Sequence, residues 1–368
     1  MNLSIEEIAR YDRHLKLKEV GVKGQEALKN AKVLVVGAGG LGSPILQYLS
    51  AAGIGTIGIV DNDTVDESNL QRQVLYTVES VGKSKVSEAI KALLALNPHI
   101  EFIAHDFFLD RENVLDTLAA YDIIIDGTDN FSTRYLVGDA TAILKKPLVF
   151  GSIFKFEGQV AVFNLGNGPT YRCLFPSPPE EDSVPNCSEI GVLGVLPGYV
   201  GTAMANECLK LILKNGKVLS GKVRVMNLLE NTQLDLNITA NPENIQRTKL
   251  EESYDFSCDT KSDTMKSITA KELSNTLSNE DIQLIDVREP FEYEICSIEK
   301  SKLIPLNSIP NNLSEIEKEK KTVVICHHGM RSAAAINYLE QQGFNNLINL
   351  TGGIHAWALE VDPEMNTY

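Results

Sequence analysis

Residues 322–333 read TVVICHHGMRSA, so an apolar run ends on a single cysteine, Cys326, with four residues between it and Arg331. A thiol at the end of a strand, just before a loop that feeds a helix, meets loop amides and the positive end of the helix dipole. Both favour the thiolate, and Arg331 adds a cation. Such a sulfur is a strong nucleophile. Cradles that close around a phosphate use a longer cysteine-to-arginine spacing, and the tighter ring of CHHGMR suits a single sulfur atom. The plain alternative, a core cysteine closing a strand, leaves Gly329 and its loop without a packing purpose. His327 and His328 read as loop residues facing solvent.

Far upstream, VVGAGGLG places Gly37, Gly39 and Gly42 at GxGxxG spacing, with Gly40 inside the turn and Asp61 at the end of the next strand, TIGIVD. Glycines there let a phosphate approach backbone amides at a helix start, and the acid accepts a ribose hydroxyl. The motif says nucleotide without saying which, so an NAD-dependent oxidoreductase stands as an alternative. A dinucleotide pyrophosphate carries about two negative charges, whereas a triphosphate carries about four and recruits Arg, Lys and a metal. This chain supplies them. Asp63 and the run SNLQRQ (Ser68, Asn69, Leu70, Gln71, Arg72, Gln73) follow the second strand, GKSKV brings Lys85, and DGTDN brings Asp129 and Asn130. Asp129 follows the apolar strand YDIII, where open α/β sheets bind ligands, and can hold Mg²⁺ with phosphate oxygens. The plain alternative makes Arg72 and Lys85 solvated charges and Asp129 a turn residue.

The elements that must position these groups alternate short β-branched runs with amphipathic ones: KVLVVG, SPILQYLSAAG, TIGIVD, YDIIIDGTD, KPLVFGSI. That rhythm predicts an α/β fold, a doubly wound, Rossmann-like, mostly parallel sheet. GQVAVFNL and KVRVMNLL alternate in the manner of an antiparallel extension, and between them PGYVGTAMANECLKLILKNG reads as a helix stopping near Gly216. Residues 239–266 are polar and poor in large aliphatics, which predicts a linker. A second, small α/β domain follows, with a capped helix SITAKELSNTL, strands IQLIDVR, TVVIC and NLINLTGG, and a helix RSAAAINYLEQQG. The expected domains are 1–238, 239–266 and 267–368.

The net charge of −15 over 368 residues excludes a broad nucleic-acid surface, so a polyanionic ligand needs named basic residues. No apolar run approaches the ~20 residues of a spanning helix, and MNLSIEEIARYDRHLKL lacks a signal-peptide core. A cytoplasmic protein without membrane contact is expected. The six cysteines show no framework spacing and are expected to be thiols.

The blocks GAGGLGSP, IVDNDTVDESNLQRQVLY, DGTDNFSTRYLVGDA, GSIFKFEGQV, YRCLFP and VPNCSEIGVLGVLPG, in this order over about residues 5–236, resemble the MoeB/ThiF/HesA family. These adenylyltransferases are related to the ubiquitin-activating enzymes. The resemblance implies ATP-dependent activation of the C-terminal Gly-Gly carboxylate of a small ubiquitin-like sulfur carrier, of the molybdopterin or thiamine type. It further implies that Gly40 and Asp61 hold the nucleotide, that Asn69, Arg72 and Lys85 contact phosphates, and that Asp129 binds Mg²⁺. Arg13, in RYDRHLKL, resembles an arginine that reaches into a partner subunit's site, which implies a homodimer. Cys187, in VPNCSEIG, matches a cysteine in the loop over the active site and is expected to exchange thiols with the activated carrier.

The tail segment, with LIDVREPFEYE before it and NLTGGIHAW after it, resembles the rhodanese family over about residues 267–363 and implies a persulfide on Cys326, loaded by a sulfane donor such as a cysteine desulfurase. YEICSIEKSKLIPLN departs from that family's usual turn, so Cys296 receives no role. Together the halves imply that the outer sulfur of Cys326 attacks the acyl adenylate and the carrier leaves as a thiocarboxylate. Adenylation alone, and a carrier-binding scaffold without turnover, are the alternatives.

One departure concerns zinc. Family members carry two CxxC pairs that form a zinc site, whereas this chain has Thr170 with Cys173 and Asp255 with Cys258. A threonine and an aspartate in place of two thiolates make a poor tetrahedral site, so no structural zinc is expected. Metal analysis of purified protein should find zinc well below stoichiometry; one zinc per chain refutes this.

Overall fold

The computed structural model describes residues 3–179, 191–254, 265–277 and 281–367, and the chain divides into two compact units, 1–256 and 257–368. In the first, β1 (Lys32–Val36), β2 (Thr56–Val60), β3 (Glu101–His105), β4 (Ile123–Asp126), β5 (Leu148–Phe154), β6 (Glu157–Phe163), β7 (Lys222–Asn227) and β8 (Thr232–Asn237) form one sheet. Its order is β3-β2-β1-β4-β5-β6-β7-β8, parallel from β3 to β5 and antiparallel beyond. The expected sheet with its antiparallel extension is what forms.

The sequence reasons are local. β2 and β4 are buried at every position and β1 at all but its first, as strands covered on both faces must be. Alternate residues of β1 feed opposite cores. Val33 and Val35 join Ile57, Ile59, Ile45 and Met204 on one face, while Leu34 and Val36 join Ile124, Phe150 and Leu136 on the other. Helices Gly42–Ala52 and Val195–Leu213 belong to the first layer and Phe131–Leu144 to the second. β5 and β6 need only a two-residue turn at Lys155, whose φ is 54°. Because β1 is flanked by β2 on one side and β4 on the other, the strand order reverses there and a crevice opens at the carboxyl ends.

The structure amends the expected linker. Tyr254 is buried and donates to Asp139 Oδ2 at 2.6 Å, Arg247 Nε lies 3.4 Å from Asp139 Oδ1, and Arg247 also pairs with Glu251. Asp139 is in turn gripped by Arg172 through Nε and Nη2 at 2.7 and 2.9 Å. Residues 241–254 are therefore held within the first unit by ion pairs together with Leu250 and Tyr254 against the core, and the small share of apolar residues is why the segment reads as a tether.

In the second unit β9 (Ser267–Ile268), β10 (Gln283–Asp286), β11 (Lys302–Leu303), β12 (Thr322–Ile325) and β13 (Leu347–Leu350) form a parallel sheet in the order β11-β10-β12-β13-β9. Ile285 and Val324 face one core, Leu284, Val323 and Ile325 the other. The helix expected from Ser267 begins only at Ala270. Thr269 and Glu272 cap it reciprocally, which frees Ser267–Ile268 to pair with β13 as an edge strand. Among the described residues no helix is long and apolar enough to cross a membrane.

Asp139→Ala leaves the buried Arg172 only the more exposed Glu251, at 3.5 Å, and should destabilise the first unit by about 2–4 kcal/mol, read by denaturant unfolding. A loss below about 1 kcal/mol would show that water takes over the arginine.

Candidate active site

A cleft of about 350 Å³ lies at the strand-order reversal, within the usual range for a ligand pocket. Its floor is the turn after β1. Gly37 sits at φ 91°, where a Cβ would meet the Gly127 carbonyl at 2.9 Å, and a Cβ on Gly42 would meet the Gly37 carbonyl oxygen at 2.0 Å. The turn is held from outside. Asp61 Oδ2 accepts from the Ala38 amide at 2.8 Å, its Oδ1 accepts from the Asp63 amide at 2.9 Å, and the Tyr76 hydroxyl donates to the Ala38 carbonyl at 2.8 Å. Burial pushes the Tyr76 pKa well up, so it stays a neutral donor.

Gly37, Gly39, Gly40, Asp61, Asp63, Arg72, Gln73, Lys85, Asp129 and Asn130 all line the cleft. Gly42 is at the head of the helix beneath it. Lys85 is 6% exposed with its Nζ 2.8 Å from Asp63 Oδ2, so the alternative of a solvated surface charge does not hold for it. Gln73 is 4% exposed, and its buried Oε1 lacks a hydrogen-bond partner. Ser68, Asn69, Leu70 and Gln71 do not line the cleft; they build the turn that does. Asp66 accepts from Ser68, Asn69 Oδ1 accepts from the Asp66 amide, and the Ser68 carbonyl accepts from Arg72 Nη1 at 3.0 Å. Arg13 is exposed on the short helix Asp12–Leu15 and does not line the cleft of its own chain. Cys187 lies outside the described residues.

Beyond these, Phe107, Phe108 and Thr133 line the cleft, and so do Thr128 and Arg134. Arg134 donates through Nε and Nη2 to the Thr128 carbonyl and lies over the Phe150 ring, bracing the loop that carries Asp129. Asp126, fully buried at the end of β4, has its pKa raised by burial despite Arg134 and Thr128. Its Oδ1 accepts from Thr128, while Oδ2 is buried without a partner. HDFFL and DGTDNFSTR held these residues, but only their place at the carboxyl end of a strand marks them.

In the second unit Cys326 follows β12 and is 1% exposed. Its Sγ accepts from the Gly329 amide at 3.0 Å and lies 3.3 Å from Ser332 Oγ. The loop's carbonyls are occupied elsewhere: the amides of Ile354 and His355, opening the helix Gly353–Glu360, donate to the carbonyls of Cys326 and His327. A Cβ on Gly353 would strike both carbonyl oxygens at 2.3 Å, which explains the glycine in LTGGIHAW.

Two expectations need correction. The Arg331 charge is taken up by Glu292, on which it closes bidentately at 2.6 and 2.7 Å, because a carboxylate matches the guanidinium fork better than a buried thiol. His327 is not a solvent residue. It is partly buried, packs beside His328 and His355, and burial followed by those two imidazoles pushes its pKa down to about 4. Cys296 lies near the Arg288 guanidinium, which forms a fully buried pair with Asp286.

At Cys173, burial pushes the thiol pKa up, but hydrogen bonds from the Asn241 amide, Thr170 and Asn244 outweigh it and the net shift is downward. Among the described residues no three His, Cys, Asp or Glu side chains stand together as metal ligands; Asp255 and Cys258 lie outside them.

Known proteins match the chain along its length. The ThiF family model matches residues 11–248 and the rhodanese-like domain model residues 269–360. Over its whole length the chain is 44% identical to the probable adenylyltransferase/sulfurtransferase MoeZ of Mycobacterium tuberculosis, covering 96% of that protein. It is 41% identical to adenylyltransferase and sulfurtransferase MOCS3 of Aedes aegypti, covering 90% of it. Over 66% of this chain it is 52% identical to the sulfur carrier protein adenylyltransferase of Thermus thermophilus, covering 91% of that protein.

Gly42→Ala should displace the glycine turn and weaken nucleotide binding by about tenfold or more, because the clash is with backbone and cannot rotate away. Calorimetric titration with ATP checks it. Wild-type affinity in a folded Gly42→Ala protein would mean that the turn is not the nucleotide's seat.

Proposed function

The chain belongs to the ThiF family and carries a rhodanese-like domain, and from that premise we propose how its residues divide the work of an adenylyltransferase that is also a sulfurtransferase. The reaction is ATP-dependent adenylation of a sulfur-carrier protein followed by sulfur transfer. The observation that carries the proposal for the first half is a cleft joining a glycine turn to a buried lysine and an arginine.

A carboxylate is a poor electrophile, and attack on the α-phosphate builds negative charge that must be neutralised as pyrophosphate departs. Backbone amides of the Gly37–Gly42 turn and the helix Gly42–Ala52 receive phosphate oxygens, Arg72 and Lys85 neutralise them, and Asn69 orients the turn that carries Arg72. Lys85 shares Asp63, whose carboxylate is largely exposed and free to yield the ammonium to a phosphate. Phe107 and Phe108 offer apolar surface to the adenine, and Asp61 accepts from the ribose. Asp129 fits Mg²⁺, since it is an exposed carboxylate at the cleft and such ions take one or two carboxylates plus substrate phosphates. When bound, the ion neutralises phosphate charge. Arg13, exposed and away from its own cleft, is assigned to the cleft of a second copy in a homodimer.

The carrier's Gly-Gly carboxylate attacks the α-phosphate, giving acyl adenylate and pyrophosphate. The terminal sulfur of a Cys326 persulfide attacks the acyl carbon, and AMP leaves. A second thiol, assigned to Cys187, then attacks Cys326 Sγ. The carrier departs as a thiocarboxylate and a Cys326–Cys187 disulfide remains, which a small-molecule thiol reduces. The persulfide itself comes from a sulfane donor such as a cysteine desulfurase.

Cys326→Ala should lose thiocarboxylate formation by about a hundredfold or more while keeping carrier-dependent pyrophosphate exchange. Mass spectrometry of the carrier, which gains the difference between sulfur and oxygen, checks it. Thiocarboxylate at the wild-type rate from the alanine variant ends the relay proposal.

A further inference from the structure

The chemistry assigned to Cys326 leaves two polar side chains beside it unused. Ser332 is fully buried on the helix Met330–Gln341, with Oγ 3.3 Å from Cys326 Sγ and 2.6 Å from Asn349 Oδ1. Asn349, on β13, also donates from Nδ2 to the Gly329 carbonyl at 3.0 Å. One carboxamide thus holds both the hydroxyl next to the sulfur and the glycine whose amide touches it. A serine hydroxyl has a single proton to give, so it cannot serve Asn349 and the sulfur together. At 2.6 Å the carboxamide oxygen holds that proton. An Oγ lone pair then faces the sulfur, which suits the S–H of a thiol and opposes a thiolate.

We propose that Ser332 and Asn349 form a two-position hydroxyl switch that sets how readily Cys326 gives up its proton. With the thiol protonated, the Ser332 proton lies toward Asn349 and Oγ accepts the S–H. When the thiol proton passes to solvent, the hydroxyl turns and donates to the sulfur anion. The turn is favourable only then, because a hydrogen bond to an ionised acceptor is roughly twice as strong as a neutral one. Asn349 is a positioning residue that competes with sulfur for one proton. The proposal rests on the reading of Cys326 as the sulfur-accepting thiol. The charged and titratable groups around it are His327 and His328 on the loop, His355 on the helix Gly353–Glu360, the Glu292–Arg331 pair and the Asp286–Arg288 pair at the end of β10. All are retained in every variant below, so their titration cancels in the comparison.

The test follows Cys326 alkylation by iodoacetamide against pH in the full chain, resolved from the other thiols by peptide mass spectrometry. Ser332→Ala should move the midpoint up and slow the neutral-pH reaction about tenfold. Asn349→Ala frees the hydroxyl for the sulfur and should move the midpoint down, with a several-fold faster reaction. The double variant should match Ser332→Ala alone, since without the hydroxyl Asn349 has nothing to compete for. A midpoint that rises in Asn349→Ala, or shifts that simply add in the double variant, overturns the proposal. Asn349→Leu, close in volume, uncharged and without an oxygen acceptor, decides if the alanine variant does not fold: a midpoint below wild type supports the switch, and one unchanged or higher overturns it. Alkylation needs neither ATP, carrier nor persulfide, so a wild-type protein unable to make thiocarboxylate would end the functional reading and leave this result intact.

Discussion

Everything chemical in this protein depends on two tight turns, one after β1 and one after β12, whose backbone groups are pinned by neighbouring parts of the chain. A buried backbone N–H or C=O left unpaired is costly, so such a turn persists only where the surrounding chain supplies partners for both. Both units meet that constraint in the same way, at a parallel strand that feeds a helix through a tight turn. After β1 the turn needs Gly37 at φ 91°, and after β12 it needs Gly329 at φ 105°. In each case a neighbouring group fixes the far side. Asp61 and Tyr76 take the amide and carbonyl of Ala38, while the amides of Ile354 and His355 take the carbonyls of Cys326 and His327. The two turns differ in size: the first opens on a cleft of about 350 Å³, and the second closes around one sulfur.

Charge is the second organiser. A chain of net charge −15 repels anionic ligands at long range, so attraction has to be built at short range from cations kept near acids that can release them. Lys85 is buried against Asp63, whose own carboxylate is 62% exposed. The lysine is thereby positioned without being neutralised in a dry pocket. Arg331 represents the opposite arrangement. Its pair with Glu292 is shielded on both sides, at 15% and 7% exposure, and fixes the start of the helix after Cys326 instead of acting on the sulfur.

The strands, their parallel run, the glycine turn and the sulfur loop were legible in the sequence because each is a local pattern. β-Branched runs made the sheet, and the GxGxxG spacing and the CHHGMR ring announced their turns. What was not legible depends on partners distant in sequence. Nothing in RTKLEESY says that Arg247 and Tyr254 meet Asp139, so a docked segment reads as a tether. Arg331 looks like a cation for the cysteine until Glu292 is seen 39 positions earlier to fit its fork. His327 looks exposed until His355 arrives from another element. Phe107 and Phe108 look like surface aromatics in HDFFL until the strand order places them at the cleft.

Joining the two chemistries in one polypeptide follows from the reactivity of the intermediate. An acyl adenylate is open to water as soon as it forms, so its yield as thiocarboxylate depends on how fast sulfur reaches it compared with hydrolysis. A separate sulfurtransferase must find it by diffusion at cellular concentration, whereas a covalently attached one acts at an effective concentration set by the connecting chain. In the proposed relay, a persulfide on Cys326 would lie in a closed ring and be protected from stray thiols until it is used. The price of that protection is a buried sulfur, 1% exposed as the thiol, whose reactivity must then be tuned from within by amides and hydroxyls rather than by solvent. The same enclosure that preserves the sulfur is what makes its few hydrogen-bond partners decisive.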